Sequence, residues 1–196
     1  MRKRPLDLGV VDAPWGSGKF IESVGIGWFS DTMARLDRNP PKTLLQSSSR
    51  LARLRRARAD FLATLAKARS FEATVTVDRK RFAGRFLLIE VMNLRQLGPN
   101  LVLAPHADPG DGMLDVVMVR TSEREALRRF LAGEDGAAPP TVVRGRRVKI
   151  LCAPRRLHID DKPGKRGASH ASHVDAQGRI RVALHVEKSA LDVLTP

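Results

Sequence analysis

The sequence predicts a mainly β protein, an antiparallel β-sandwich with one amphipathic helix and one short helix. Three observations predict it. Phe71, Ala73, Val75 and Val77 alternate with Glu72, Thr74 and Thr76, and Ile180, Val182, Leu184 and Val186 alternate in the same way, which is the period of a half-buried strand. Turn signals recur roughly every 8–12 residues and delimit about ten short strands. Helical spacing is sustained in one long stretch only. No linker divides the 196 residues, so a single domain over 1–196 is expected.

PLDLGVVD and KFIESVGIGWF read as two strands around the turn Pro14–Gly18. Gly16-Ser17-Gly18-Lys19 is not a phosphate loop, because Ala13 stands where that motif needs Gly and Phe20 where it needs Ser or Thr. Gly25 and Gly27 end the second strand and admit close approach of another group, so they are candidate cleft positions. Residues 31–41 read as a loop ending in Pro40-Pro41. Over 43–69 a helix is expected: Leu51, Leu54, Ala57, Phe61, Leu65 and Ala68 share one face, and Arg50, Arg53, Arg55, Arg56 and Arg58 the other. Such a helix packs on a core with a solvated arginine face, and the same face suits an anionic membrane.

Residues 71–92 form a hairpin turning at Asp78–Lys80. Leu101–Leu103 and Leu114–Val119 read as two strands joined by an acidic, glycine-rich turn. Ser122–Glu125 is a capping box that opens a short helix ending near Gly133. After a loop at 133–141, VVRGRRVKIL and RRLHID are expected to pair around Ala153-Pro154. Residues 161–178 read as a polar surface loop, and the chain closes as a strand, a turn and a final strand. Cys152 is expected in the core, and His158 and His185 as exposed strand positions.

The 35 Lys+Arg against 21 Asp+Glu give a net charge of +14, a field that attracts lipid head groups, nucleotide phosphates or nucleic acid. The cations are spread along the chain without interleaved aromatic platforms, so nucleic acid is not expected as a partner. The single Cys excludes an internal disulfide and fits a reducing cytoplasm. No run approaches the ~20 apolar residues of a spanning helix, so a membrane role would be peripheral.

Three places carry candidate chemistry. Asp108, Asp111 and Asp115 crowd one turn, where a carboxylate and main-chain oxygens suit a hard cation such as Mg²⁺; His106 in the same turn is placed to touch a phosphate. Asp160 and Asp161 follow an apolar strand, and paired acids there suit a general base. Asp175 is a second such position, and His170 with His173 lacks the further ligands of a zinc site.

LAPHADPGDGMLDVVMV resembles the APxAxxxDGxLDVxxV signature of the diacylglycerol kinase family, which includes sphingosine kinases and bacterial lipid kinases. FIESVGIGWFSDTM is similar to the family's F-x-N-x-x-GxGxDAxV segment, and EVMNLRQLGPNLVLAP to V-x-N-x-x-x-x-GGGxxxAP. The arginine-rich helix with its following strand, and the closing ALDVLTP, complete five matches in the family's order. They all belong to its C-terminal lobe, a β-sandwich that holds the lipid and faces a nucleotide lobe. The Gly-Gly-Asp-Gly-Thr phosphate loop of the nucleotide lobe is absent from these residues.

The resemblance implies a substrate-binding lobe that phosphorylates a lipid hydroxyl with ATP and Mg²⁺ once a nucleotide lobe joins it. Asp111 would hold magnesium with main-chain oxygens of Asp108 and Met113. Asp160 would be the general base. Gly25, Gly27, Asn93 and His106 are the candidate cleft residues. Asp161 and Lys162 stand for the Gly and Glu of the family's Asp-Gly-Glu, so Asp161 is the candidate second acid. Lipid substrate, anionic membrane surface and nucleotide lobe are the expected partners. The alternative is a non-catalytic lipid- or membrane-binding module of the same fold.

Overall fold

The computed structural model describes residues 2–38, 49–163 and 173–195. Two antiparallel layers face each other. One has the order β4 (Phe71–Val77), β10 (Arg147–Cys152), β13 (Ile180–Thr195), β1 (Arg2–Ala13), β2 (Gly16–Phe20). The other runs β12 (Lys162–Pro163), β11 (Leu157–Ile159), β3 (Ser23–Gly27), β5 (Lys80–Met92), β8 (Leu114–Arg120), β9 (Val142–Gly145). Strand β5 belongs to both. Its first half pairs with β4, a bulge interrupts the ladder with β8 between Phe86 and Leu88, and its second half pairs with β3.

Val11, Phe20, Val24, Ile26, Val75, Ile89, Val116, Ile150 and Val182 fill the space between the layers. The outer face of the second layer is covered by α1 (Trp28–Arg38), α2 (Arg50–Leu65) and α3 (Arg124–Ala132), around Trp28, Phe29, Phe61, Leu65, Leu87, Leu127 and Leu131. Strands covered on both faces need no alternation. Hence FLLIEVM in β5 and LDVVMV in β8 are buried throughout.

Several sequence expectations are corrected. Residues 31–38 are helical, not a loop. In α1, Trp28, Phe29, Thr32 and Ala34 are buried, Asp31 sits in the first turn, and Arg35 and Arg38 sit in the last, where the helix dipole favours them. The strand expected from Lys19 onward breaks at Ile21-Glu22 into β2 and β3. Helix α2 is shorter than 43–69, and residues 39–48 lie outside the described ones. Only Phe61 and Leu65 of its stripe are buried, while Leu51 is 56% exposed.

The two strands expected on either side of the acidic turn form, but they do not pair with each other. Leu101–Val102 pairs as β7 with β6 (Gln96–Leu97), whereas β8 pairs with β5 and β9. Likewise VVRGRRVKIL divides into β9 and β10, which enter opposite layers, and β11 pairs with β3 and β12 rather than β10. The switch falls at Gly145, where a Cβ would stand 2.4 Å from Val77 Cγ1.

Helix α3 is preceded by a 3₁₀ turn at Thr121–Glu123. That turn is capped by the Glu123 carboxylate, which accepts from the Arg120 N–H at 2.6 Å. The expected Ser122–Glu125 capping box does not form, since the helix has Glu123 at its N-cap without a side-chain cap. The helix ends at left-handed Gly133, as expected. The final strand–turn–strand is one strand, β13, with an irregularity around Ser189 (φ 51°). Most of the polar loop, residues 164–172, lies outside the described ones, as does His170.

Candidate functional site

Strands β11 and β12 are joined by Asp160-Asp161, with Asp160 in the left-handed region at φ 50°, a conformation Asp tolerates better than most residues. Its N–H donates to Ser23 O at 2.8 Å. Its Oδ1 accepts from the N–H groups of Glu22 (2.8 Å) and Ser23 (3.1 Å), and its Oδ2 accepts from Ile21 (3.2 Å). One carboxylate thus satisfies the donors left by the break between β2 and β3. Glu22 accepts from Gly98 N–H at 2.8 Å. Burial, and then the nearby Asp160 and Asp161, hold the Glu22 carboxyl above its usual range, against the pull of the Gly98 N–H. Asp161 is exposed.

The acidic turn is organised by a residue the sequence did not single out. Asp7 of β1 is fully buried. Its carboxylate accepts from Gly112 N–H at 2.6 Å and Ser189 N–H at 2.7 Å, and its own N–H donates to Pro109 O at 2.6 Å. Within the turn, Asp108 accepts from Gly110 N–H at 3.0 Å and Asp111 from Met113 N–H at 2.9 Å. The other oxygen of Asp111 is ion-paired with Arg144. The same guanidinium lies 3.6 Å from Asp115, whose carboxyl burial holds above its usual range despite that cation.

Asn93 joins these two turns. Its amide Nδ2 donates to Asp7 O and to Ile21 O, both at 3.0 Å, and its N–H donates to Glu22 O at 2.9 Å. Asp160, Asn93 and the Asp111 turn are therefore connected by one hydrogen-bond path. His106 stays exposed and reaches this assembly only as a charge near Asp115. Asp175 closes its own loop through the N–H groups of Gln177 (3.0 Å) and Arg179 (2.9 Å) and lies apart.

Behind Asp160 lies a second unforeseen cluster. His158 is fully buried, correcting its expected exposure. Across the second layer, His158, Gly25 and Glu90 stand side by side. The Glu90 carboxyl lies over Gly25, where a Cβ would come within 2.0 Å of Oε1, and faces His158 Nε2 at 3.4 Å. Gly27 (φ 101°) is equally tight: a Cβ there would lie 2.4 Å from Leu87 O. Both glycines thus admit groups of the protein itself.

Ser30 donates to Gly25 O at 2.7 Å, so its oxygen accepts from His158 Nδ1–H at 2.8 Å, which leaves Nε2 as an acceptor. Burial raises the Glu90 carboxyl well above its usual range and pushes the His158 imidazole down to about 3. The pair is a neutral contact rather than a salt bridge. Pairing across a glycine is the signal of this cluster, and it depends on strand partners that alternation along the chain does not specify.

Among the described residues no three His, Cys, Asp or Glu side chains cluster to hold an ion. The Asp111 turn offers one carboxylate and main-chain oxygens, and Arg144 supplies the positive charge beside it. A divalent cation fits this donor set only with Arg144 swung aside.

The fold defines a class: a β-sandwich covered on one face, among the described residues, by helices α1, α2 and α3, with two acidic turns joined through one asparagine. Residues 45–195 match the family described as the YegS C-terminal NAD kinase beta sandwich-like domain. The chain belongs to that family. A search of curated protein sequences found no match. Three solved structures from Bacillus anthracis str. Sterne share the fold, each at 16% identity and with all of this chain covered. Two are provisionally described as diacylglycerol kinases, with TM-scores of 0.66 and 0.65, and the third as a diacylglycerol kinase, with TM-score 0.65. The chain spans 56–58% of the length of those proteins. No described helix is long and apolar enough to cross a membrane.

Proposed function

We propose that this chain is the substrate-binding lobe of a diacylglycerol kinase-like lipid kinase, active with a nucleotide-binding lobe supplied in trans or by a full-length chain. The observation that carries this is the hydrogen-bond path joining Asp160, Asn93 and the Asp111 turn. Phosphoryl transfer relies on positioning and charge neutralisation. An ionised carboxylate has about four acceptor sites. Asp160 gives three to backbone N–H groups, and the fourth is the one we assign to a lipid hydroxyl proton. Asp161 and Glu22 keep its surroundings acidic. ATP would be bound mainly by the other lobe. The exposed Leu51 on the arginine-rich α2 suits a peripheral contact with an anionic membrane. That same feature favours the second reading, a lipid-surface module without catalysis.

The test combines this chain with a nucleotide lobe of the family, ATP, Mg²⁺ and diacylglycerol in mixed micelles. Phosphorylation of the lipid is expected. Vesicle binding with no transfer from any such lobe would leave only the second reading.

Magnesium at Asp111, with main-chain oxygens of Asp108 and Met113, would order the acidic turn. Because Arg144 competes for Asp111, Arg144→Ala is expected to increase the Tm gain on adding Mg²⁺, and Asp111→Asn to remove it. An equal gain in Asp111→Asn places the cation elsewhere.

A further inference from the structure

A cationic groove lies apart from both acidic turns. It runs between α1, the segment following α2 and the loop before β11. Two adjoining hollows of about 370 and 810 Å³ share Asp31, Arg35, Arg69 and Arg155. Lys67 lines the first hollow and Arg38 and Arg156 the second. Among the described lining residues Asp31 is the one acid; it is engaged by Arg155 at 3.5 Å, and Arg155 also stacks over the Phe71 ring at 4.5 Å. Among the described residues Arg35, Lys67 and Arg69 have no carboxylate partner. Three exposed cations therefore converge on one cavity with the local acid already neutralised.

The floor does not compete for a ligand. Thr64 Oγ1 donates to Phe61 O at 2.7 Å and accepts from Trp28 Nε1–H at 2.7 Å, with Thr32 Oγ1 at 2.8 Å. These hydroxyls are spent on one another and on the backbone, so recognition falls to the guanidinium and ammonium groups. Trp28 is 2% exposed and offers no stacking face, which disfavours a nucleobase. Guanidinium forks match the oxygens of a phosphate, and several cations suit an anion carrying about two charges. The hollows are larger than a phosphate alone, leaving space for the organic part of an ester.

We propose that this groove binds a phosphomonoester dianion, with Arg35 and Arg69 as its principal ligands and Lys67 beside them. The inference stands apart from the kinase reading. Arg155 precedes β11 and Asp160 follows it, so the two sites lie at opposite ends of that strand.

The experiment titrates the chain with glycerol 3-phosphate, following intrinsic tryptophan fluorescence, to which Trp15 and Trp28 both contribute. In parallel it measures cosedimentation with phosphatidylcholine vesicles carrying either phosphatidic acid, a phosphomonoester, or phosphatidylglycerol at matched surface charge. Binding of glycerol 3-phosphate identifies a site open to soluble esters; binding confined to phosphatidic acid vesicles identifies a lipid head group. Either supports the proposal. Arg35→Ala with Arg69→Ala is expected to weaken the observed binding roughly 10- to 100-fold, from hydrogen bonds to a charged group.

Arg79→Ala with Lys80→Ala, the same charge change at the β4–β5 turn, is expected to stay within about twofold, because the general field alone is screened by salt. Circular dichroism checks that both variants fold, and Arg69→Gln alone repeats the test with a milder change. The proposal is overturned by failure of both probes to bind, by equal binding of the two vesicle types, or by an equal loss in the turn variant.

Discussion

Replacing Asp160 with Ala is expected to cost about 2–4 kcal/mol of stability and to abolish lipid phosphorylation by the reconstituted kinase. Three N–H groups, of Ile21, Glu22 and Ser23, lose their acceptor at once. Each orphaned donor costs about 1–3 kcal/mol when fully buried, and less here because water reaches the turn at Ile21. The more informative change is Asp160→Asn. Asn keeps one carbonyl oxygen for the turn, so the loss of stability falls to about 1 kcal/mol. A lost general base lowers the rate by about 10²- to 10⁴-fold. Urea denaturation separates the two effects from the kinase assay. If Asp160→Asn folds normally and keeps the full rate, Asp160 is a clamp for the β2–β3 turn and the proton goes elsewhere.

The buried His158 predicts acid lability. Its imidazole takes up a proton near pH 6.5 when unfolded and only at about 3 when folded. Between those values the unfolded state binds the extra proton. The contribution of His158 is therefore fully present above pH 6.5 and is lost as pH falls toward 3, by about 1.4 kcal/mol per pH step. His158→Gln is expected to flatten this slope in denaturation curves taken from pH 7 to pH 4.

Glu90 acts with the opposite sign. Its folded carboxyl is held well above the ordinary value near 4.5, so its contribution is present below that value and lost as pH rises. Glu90→Gln is therefore expected to gain stability at neutral pH and not at pH 4. A His158→Gln profile parallel to that of the parent protein would mean that His158 is solvated.

The sandwich was legible because its signals are local. Period two in Phe71–Val77 and Gly133 at the end of α3 needed no knowledge of distant partners. Pairing was not legible in the same way. β9 and β10 are consecutive yet enter opposite layers, and β7 and β8 flank one turn yet pair with other strands. Neither fact is written in alternation, because a residue packed between two layers looks the same whichever layer it belongs to. Helix α1 is not legible in the sequence because its buried residues follow directly on GIG and merge with a strand-like apolar run.

At the site, Asp111 and Asp160 stood out as acids beside turns, and Asn93 through the resemblance. Asp7, Arg144 and Glu90 did not. Asp7 sits in an alternating strand like any exposed polar residue, and only the β13 irregularity at Ser189 and the Gly112 turn give its carboxylate two donors. Arg144 is one of 35 basic residues, and nothing local marks it as the partner of Asp111.

The asparagine that joins the two turns bears on how the molecule opens. Turns ordinarily exchange their amide hydrogens first, because they break without disturbing the core. Here the Gly112, Ser189, Glu22 and Ser23 amides donate to buried or half-buried carboxylates, and Asn93 ties those segments to one another. Their release requires the ends of β1, β3 and β13 to separate together. These loop amides should exchange with solvent as one slow set, at rates closer to those of β5 than to those of the Asp175 loop.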